Sequence, residues 1–138
     1  MKIGELARRS GLTAYTIRYY EQIGLLPVAD KDASGQRDYD TSILSWIEFL
    51  GHLKTTGMPI REMLRYAALR QMGPATDAER CALLETHRDK VRAHIADLQS
   101  NLLVLDAKIA GYGDAEKRIE TNGHQQRKPL RAREARPG

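Results

Sequence analysis

The chain has 138 residues, 29% of them charged, with a net charge of +4 and a pI near 9.3. That length suits one small domain with an extension, and the mild basicity permits an anionic partner. A single cysteine, Cys81, excludes an internal disulfide; no apolar run reaches the ~18–20 residues of a membrane span, and the start "MKIGELARRS" lacks a secretory h-region, so a cytoplasmic protein with no membrane partner is expected.

Ile3, Leu6 and Ala7 have helical spacing, and Gly11 follows where a left-handed C′ residue ends a helix. Thr13 can cap a second helix from Ala14, which Gly24 ends. Helix, tight turn and helix within some twenty residues form a helix-turn-helix pattern. From Leu25 to Asp40, "LLPVADKDASGQRDYD", the pattern changes. Pro27 blocks helix continuation and Ser34-Gly35 marks a turn, so a two-stranded wing is expected.

A third helix opens at Thr41, with a wide apolar face of Ile43, Leu44, Trp46, Ile47, Phe49, Leu50 and Leu53. Such a helix is buried on more than one side. Gly57 stops it. Pro59 is expected at the first position of a fourth helix, whose stripe is Ile60, Met63, Leu64 and Ala67. Gly73-Pro74 breaks the chain, and Thr76 with Glu79 reads as a capping box.

The longest pattern follows. Leu84, Val91, Leu98, Leu105 and Tyr112 recur every seven residues. Cys81, Arg88, Ile95, Leu102 and Ile109 form a second series, offset by four and interrupted by Arg88. This heptad seam predicts a helix over 77–112, ~54 Å long at 1.5 Å per residue. A small domain cannot cover so long a stripe. Leu84, Val91, Ile95, Leu98, Leu102, Leu105 and Ile109 are therefore expected to meet a second copy of the chain, the alternative being a helix folded back on its own domain. From 113 onward the chain is polar and basic and reads as a solvated, disordered tail, or as a nonspecific nucleic-acid contact.

The site is expected on the second helix. At ~100° per residue, Ile17 and Tyr20 fall on one side, while Tyr15, Arg18, Tyr19 and Gln22 fall on a neighbouring one. In a helix-turn-helix the second helix enters the DNA major groove with its N-terminal part nearest the bases. Ala14, Tyr15 and Thr16 would face base edges and sugar-phosphate. Arg18 can grip a phosphate or a guanine edge. Tyr19 and Tyr20 can donate to phosphates, which positions without reading sequence. For Tyr20, packing against the core is an equal alternative. In the wing, Arg37 and Tyr39 lie two apart and share a face of an extended segment, with Lys31 adding charge for phosphate contacts; an ordinary solvated hairpin is the rival reading.

"KIGELARRSGLTAYTIRYYEQIGLL", then "GQRDYD", "LKTTGMPIREM" and a long terminal helix resemble the MerR family of bacterial transcription regulators over roughly residues 1–112. The resemblance implies a mainly α fold: a winged helix-turn-helix domain (1–72), an antiparallel coiled-coil dimerisation helix (76–112) and a tail (113–138). It implies a homodimer on a palindromic promoter, distorting overspaced promoter elements so that RNA polymerase engages both. Carried over, Arg18, Tyr19, Tyr20, Arg37 and Tyr39 match DNA-contact positions, and Lys54 matches a frequent basic backbone contact. The chain departs from the family's pattern at Gln36, where members usually have an aromatic. In the segment 111–123, metal-sensing members carry cysteines and this chain has none. The large C-terminal domain of drug-sensing members is also not expected.

Cys81 begins the seam and reads as a small buried apolar residue or as a thiol sensor, with Arg80 and His87 close enough in sequence to lower its pKa. His87 and His94 are ~10.5 Å apart along a helix, too far for one metal. No metal, cofactor or catalytic arrangement is expected. The expected function is a dimeric, sequence-specific DNA-binding transcriptional regulator responding to a stress or small-molecule signal. An architectural DNA-bending protein and a coiled-coil interaction protein are the rivals.

Overall fold

The computed structural model describes residues 1–121, with side chains as far as Lys117. The elements run α1 (Ile3–Ser10), α2 (Ala14–Ile23), β1 (Asp30–Lys31), β2 (Arg37–Asp38), α3 (Ile43–Thr55), α4 (Ile60–Gln71), a 3-10 turn (Pro74–Thr76) and α5 (Asp77–Thr121). The expected tail beyond 121 lies outside the described residues.

Local chemistry sets the first two helices. Gly11 takes φ 78°, a left-handed conformation open to glycine, and its N–H reaches the Ala7 carbonyl at 3.0 Å. The Thr13 hydroxyl accepts from the Thr16 amide at 3.0 Å, the expected N-cap of α2. Gly24, at φ 93°, closes α2.

The core forms where α1, α2 and the 25–26 stretch meet α3 and α4. Leu6 and Ile17 are wholly buried, with Leu25, Leu26, Ile43, Trp46, Ile47, Leu50, Leu53, Met58, Met63, Tyr66 and Ala67 around them. Trp46 is the hub. Its indole N–H donates to the Leu25 carbonyl at 2.9 Å, its ring stacks on Tyr66 at 5.8 Å, and the Arg70 guanidinium lies 4.3 Å from its ring centre.

Five expectations are corrected. α3 begins at Ile43, because Asp40 accepts from the Ser42 amide (3.2 Å) and holds 41–42 in a turn. Pro59 stands before α4 as its N-cap, with extended ψ 148°. Ile60 is 52% exposed, and the buried face of α4 is Met63, Tyr66, Ala67 and Leu69. Of the expected stripe Met63 and Ala67 are buried and Leu64 packs against the core; Tyr66, stacked on Trp46, lies in the core where Ile60 does not. Thr76 makes no capping box: its hydroxyl donates to the Leu69 and Gly73 carbonyls (2.7 and 2.8 Å) and accepts from Arg80 Nε, tying the end of α4 to the start of α5. Finally, α5 continues to Thr121 rather than ending at 112. Gly111 and Gly113 cost about 1 kcal/mol each inside a helix, but no proline follows until Pro129 and Ala115, Glu116 and Lys117 favour helix.

A first compact unit spans Met1–Arg92 and takes in the first turns of α5. Leu83 and Leu84 pack on its core. His87 is buried, and its Nε2 lies 2.7 Å from the Thr56 hydroxyl. That hydroxyl already donates to the His52 carbonyl at 2.7 Å, so Nε2 is the donor in the pair. In the second unit, from Ala93, the described residues are all α5. No helix among the described residues is long and apolar enough to cross a membrane.

Candidate nucleic-acid interface

α2 presents one buried and one open face. Ile17 is wholly buried, Tyr20 is half-buried against the core, and Ala14 and Thr16 are partly covered. Tyr15 is 76% exposed, Tyr19 48%, and Arg18 is exposed between them. The Tyr19 and Tyr20 rings lie 6.3 Å apart and tilted. Packing is thus the observed state of the Tyr20 ring.

The wing is built by Asp32. Its Oδ1 accepts from the Ser34 amide and hydroxyl and the Gln36 amide (2.9, 2.7 and 3.0 Å), and its other oxygen pairs with Lys2. The antiparallel register sets Lys31 opposite Arg37 and Asp30 opposite Asp38. Like charges directly across a strand pair repel. The wing therefore carries a Lys–Arg pair that its own stability does not favour. Asp38 pairs with the Met1 ammonium at 3.0 Å. The hydrogen bond and charge of that ammonium hold the Asp38 carboxyl below its ordinary range.

The second helix and the wing are joined by Glu21, one turn beyond Ile17 on the buried face. Its side chain is 4% exposed. Oε2 accepts from the Ala29 amide at 3.1 Å, and Oε1 accepts from the Tyr39 hydroxyl at 3.2 Å. Arg37 Nε lies 3.0 Å from Oε1 but off the hydrogen-bond line, so charge rather than a directed bond holds the pair. Sequence reasoning missed Glu21, because a carboxylate is not counted as core. Its signal was its place four residues after Ile17 on the buried side of an amphipathic helix.

Tyr39 is corrected accordingly. It shares a face with Arg37, as their spacing requires, but that face turns onto Glu21. Tyr39 is 3% exposed and its hydroxyl points inward rather than to a phosphate. Burial, then the Glu21 charge and its hydrogen bond, push the Tyr39 phenol up from 10.0 to about 12. The raised value favours the protonated folded state. Its stabilising contribution is full below about pH 10 and is lost as pH rises towards about 12. Denaturant midpoints of wild type and Tyr39→Phe should therefore converge between pH 9 and 12, with wild type falling faster. Parallel midpoints would refute this account.

Lys31 and Lys54 are exposed, Lys54 in the last turn of α3. On α5, Leu84 and Val91 are partly covered. Ile95, Leu98, Leu102, Leu105 and Ile109 are 48–67% exposed in the single chain. Cys81 is exposed in that chain too. Its two candidate activators are engaged elsewhere: Arg80 with Thr76 and Asp77, His87 with Thr56. Among the described residues no three His, Cys, Asp or Glu side chains group to hold a metal ion.

Two family models match the chain. "MerR family regulatory protein" covers residues 2–39, and "MerR, DNA binding" covers 44–108. An uncharacterized HTH-type transcriptional regulator of Haemophilus influenzae is 36% identical over 80% of this chain and 82% of its own. The HTH-type transcriptional regulator AdhR of Bacillus subtilis is 37% identical over 66% of this chain and 65% of its own. Among solved structures, HiNmlR, a MerR family regulator lacking the sensor domain and bound to promoter DNA, superimposes with a TM-score of 0.72 at 34% identity. That match covers 84% of this chain and 92% of HiNmlR.

Proposed function

Because the chain belongs to the MerR family of DNA-binding transcriptional regulators and is not an enzyme, we propose that it binds a palindromic promoter as a homodimer and distorts that DNA to control RNA polymerase. The observation that carries this reading is the joined pair of elements around Glu21. α2 presents Tyr15, Arg18 and Tyr19 to solvent, while the wing that bears Lys31 and Arg37 is tied to the same helix.

α2 enters the major groove. Ala14, Tyr15 and Thr16 approach base edges and sugar, Arg18 grips a guanine edge or a phosphate, and Tyr19 donates to the backbone. Arg37, held through Nε, keeps its terminal nitrogens for a phosphate. Lys31 and Lys54 add phosphate contacts, and Tyr20 and Tyr39 act from behind by fixing α2 and the wing. The bound HiNmlR relative supports DNA of the promoter class as the partner. Backbone contacts that outnumber base contacts suit a protein that reads deformability as well as sequence. Dimerisation through α5 holds two such units on two half-sites, within the cytoplasm, where a stress or small-molecule signal sets the output.

The test is fluorescence anisotropy with a palindromic fragment from the protein's own regulatory neighbourhood. Arg18→Ala should weaken binding by ~1–3 kcal/mol if the guanidinium meets a base. Equal affinities for the two proteins would remove Arg18 from the interface. No saturable binding by folded wild type at low salt would sink the reading as a whole.

A further inference from the structure

A second feature of the first compact unit is a groove between α4 and the start of α5. It is open to solvent, offers about 600 Å³ and is lined by Arg61, Glu62, Arg65, Glu79, Ala82, Leu83, Thr86 and Lys90. That volume is in the range of small-molecule sites, roughly 300–1,000 Å³.

The charges there are poorly matched. Arg61 and Arg65 are four apart on one face of α4, a like-charge spacing that destabilises a helix. Lys90 faces the same space from α5. Arg65 reaches Glu79 only at 3.9 Å, and no ion pair among the described residues engages Arg61 or Lys90. Three cations against two carboxylates leave one net positive charge around the groove. Ala82, Leu83 and Thr86 complete the lining.

We propose that this groove binds a small amphiphilic anion, a carboxylate or phosphate monoester with a short apolar arm. The head sits among Arg61, Arg65 and Lys90 and relieves their repulsion. Thr86 donates a hydrogen bond to it, and the arm covers Ala82 and Leu83. The ligand would bridge α4, part of the DNA-binding unit's core, to the helix assigned to dimerisation. Its service as the regulator's signal rests on the function proposed above; the binding itself does not.

The experiment is calorimetric titration of the full chain with sodium octanoate and octyl phosphate, and with octylammonium chloride as the charge-reversed control. At least one of the two anions should bind saturably. Its affinity should fall about tenfold in Arg61→Gln/Lys90→Gln, the equivalent of about 1.4 kcal/mol. Ala82→Trp, which fills the groove, should abolish binding with the charges intact. Absence of saturable binding for both anions, unchanged affinity in either variant, or equal affinity for octylammonium would each overturn the proposal. If neither anion binds while the double variant loses DNA affinity, the cations serve DNA phosphates and the groove proposal fails. If an anion binds as expected and wild type fails to bind DNA, the groove stands and the DNA reading falls.

Discussion

Glu21→Ala is expected to destabilise the fold by about 3 kcal/mol, the lower end of the cost of breaking a buried ion pair. Two hydrogen-bond donors lose their acceptor at once, the Ala29 amide and the Tyr39 hydroxyl, and the Arg37 guanidinium loses its charge partner. Arg37 is partly exposed and can turn to water, which keeps the cost from reaching the top of that range. DNA affinity should fall roughly tenfold beyond any loss of folded protein, about 1.4 kcal/mol, because the wing is no longer held to α2. Glu21→Gln keeps one carbonyl acceptor and should recover part of the stability. Urea unfolding and anisotropy in parallel would measure both effects. An unfolding midpoint that does not move in the alanine variant would refute the account of Glu21 as the joint.

Leu98→Asp is expected to convert the proposed dimer to a 15.6 kDa monomer in light scattering. Leu98 is 54% exposed in the single chain and is the middle member of the heptad series from Leu84 to Tyr112. An aspartate there appears twice in a twofold interface, and each buried, unpaired carboxylate costs about 3–5 kcal/mol. Binding to a full palindrome should collapse with the dimer, while the helical content of the monomer persists. Leu103→Asp is the control. Leu103 is 71% exposed and belongs to neither heptad series, so its variant should remain dimeric. If both variants behave alike, the seam is not the interface.

Much of the fold was legible along the chain because its signals are local. Gly11, Thr13 and Gly24 act within one turn of themselves, so the bounds of α1 and α2 could be read directly. Ser34-Gly35 marked the wing for the same reason. The misplacements arose where a local signal met a distant partner. Thr76 has the sequence of a capping residue, but the free carbonyls at the end of α4 claim its hydroxyl. On α4 only Ile60 leaves the expected stripe, and the core residue that local spacing missed is Tyr66, whose ring partner Trp46 lies on another helix.

The candidate site divides in the same way. That Tyr15, Arg18 and Tyr19 face outward follows from helical period alone, and the single chain exposes them. That Tyr39 faces inward does not follow from period, since a two-residue repeat says which side chains share a face and not where the face points. Glu21 turned it, and a buried carboxylate becomes visible only once its two donors and its charge partner are in place. The heptad spacing of α5 is likewise a property of the sequence. The first turns of that helix, by contrast, are claimed by the core through Leu83, Leu84 and His87.

By itself, then, the sequence determined the helix-turn-helix, the wing, the heptad spacing of α5 and the open face of α2, because caps, turns and periodicities act over a few residues. Only the tertiary structure decided which side chains hold those pieces together. Glu21, Trp46, Thr76 and His87 meet partners 7 to 31 residues away, and a polar group's contribution depends on the partner that burial brings to it.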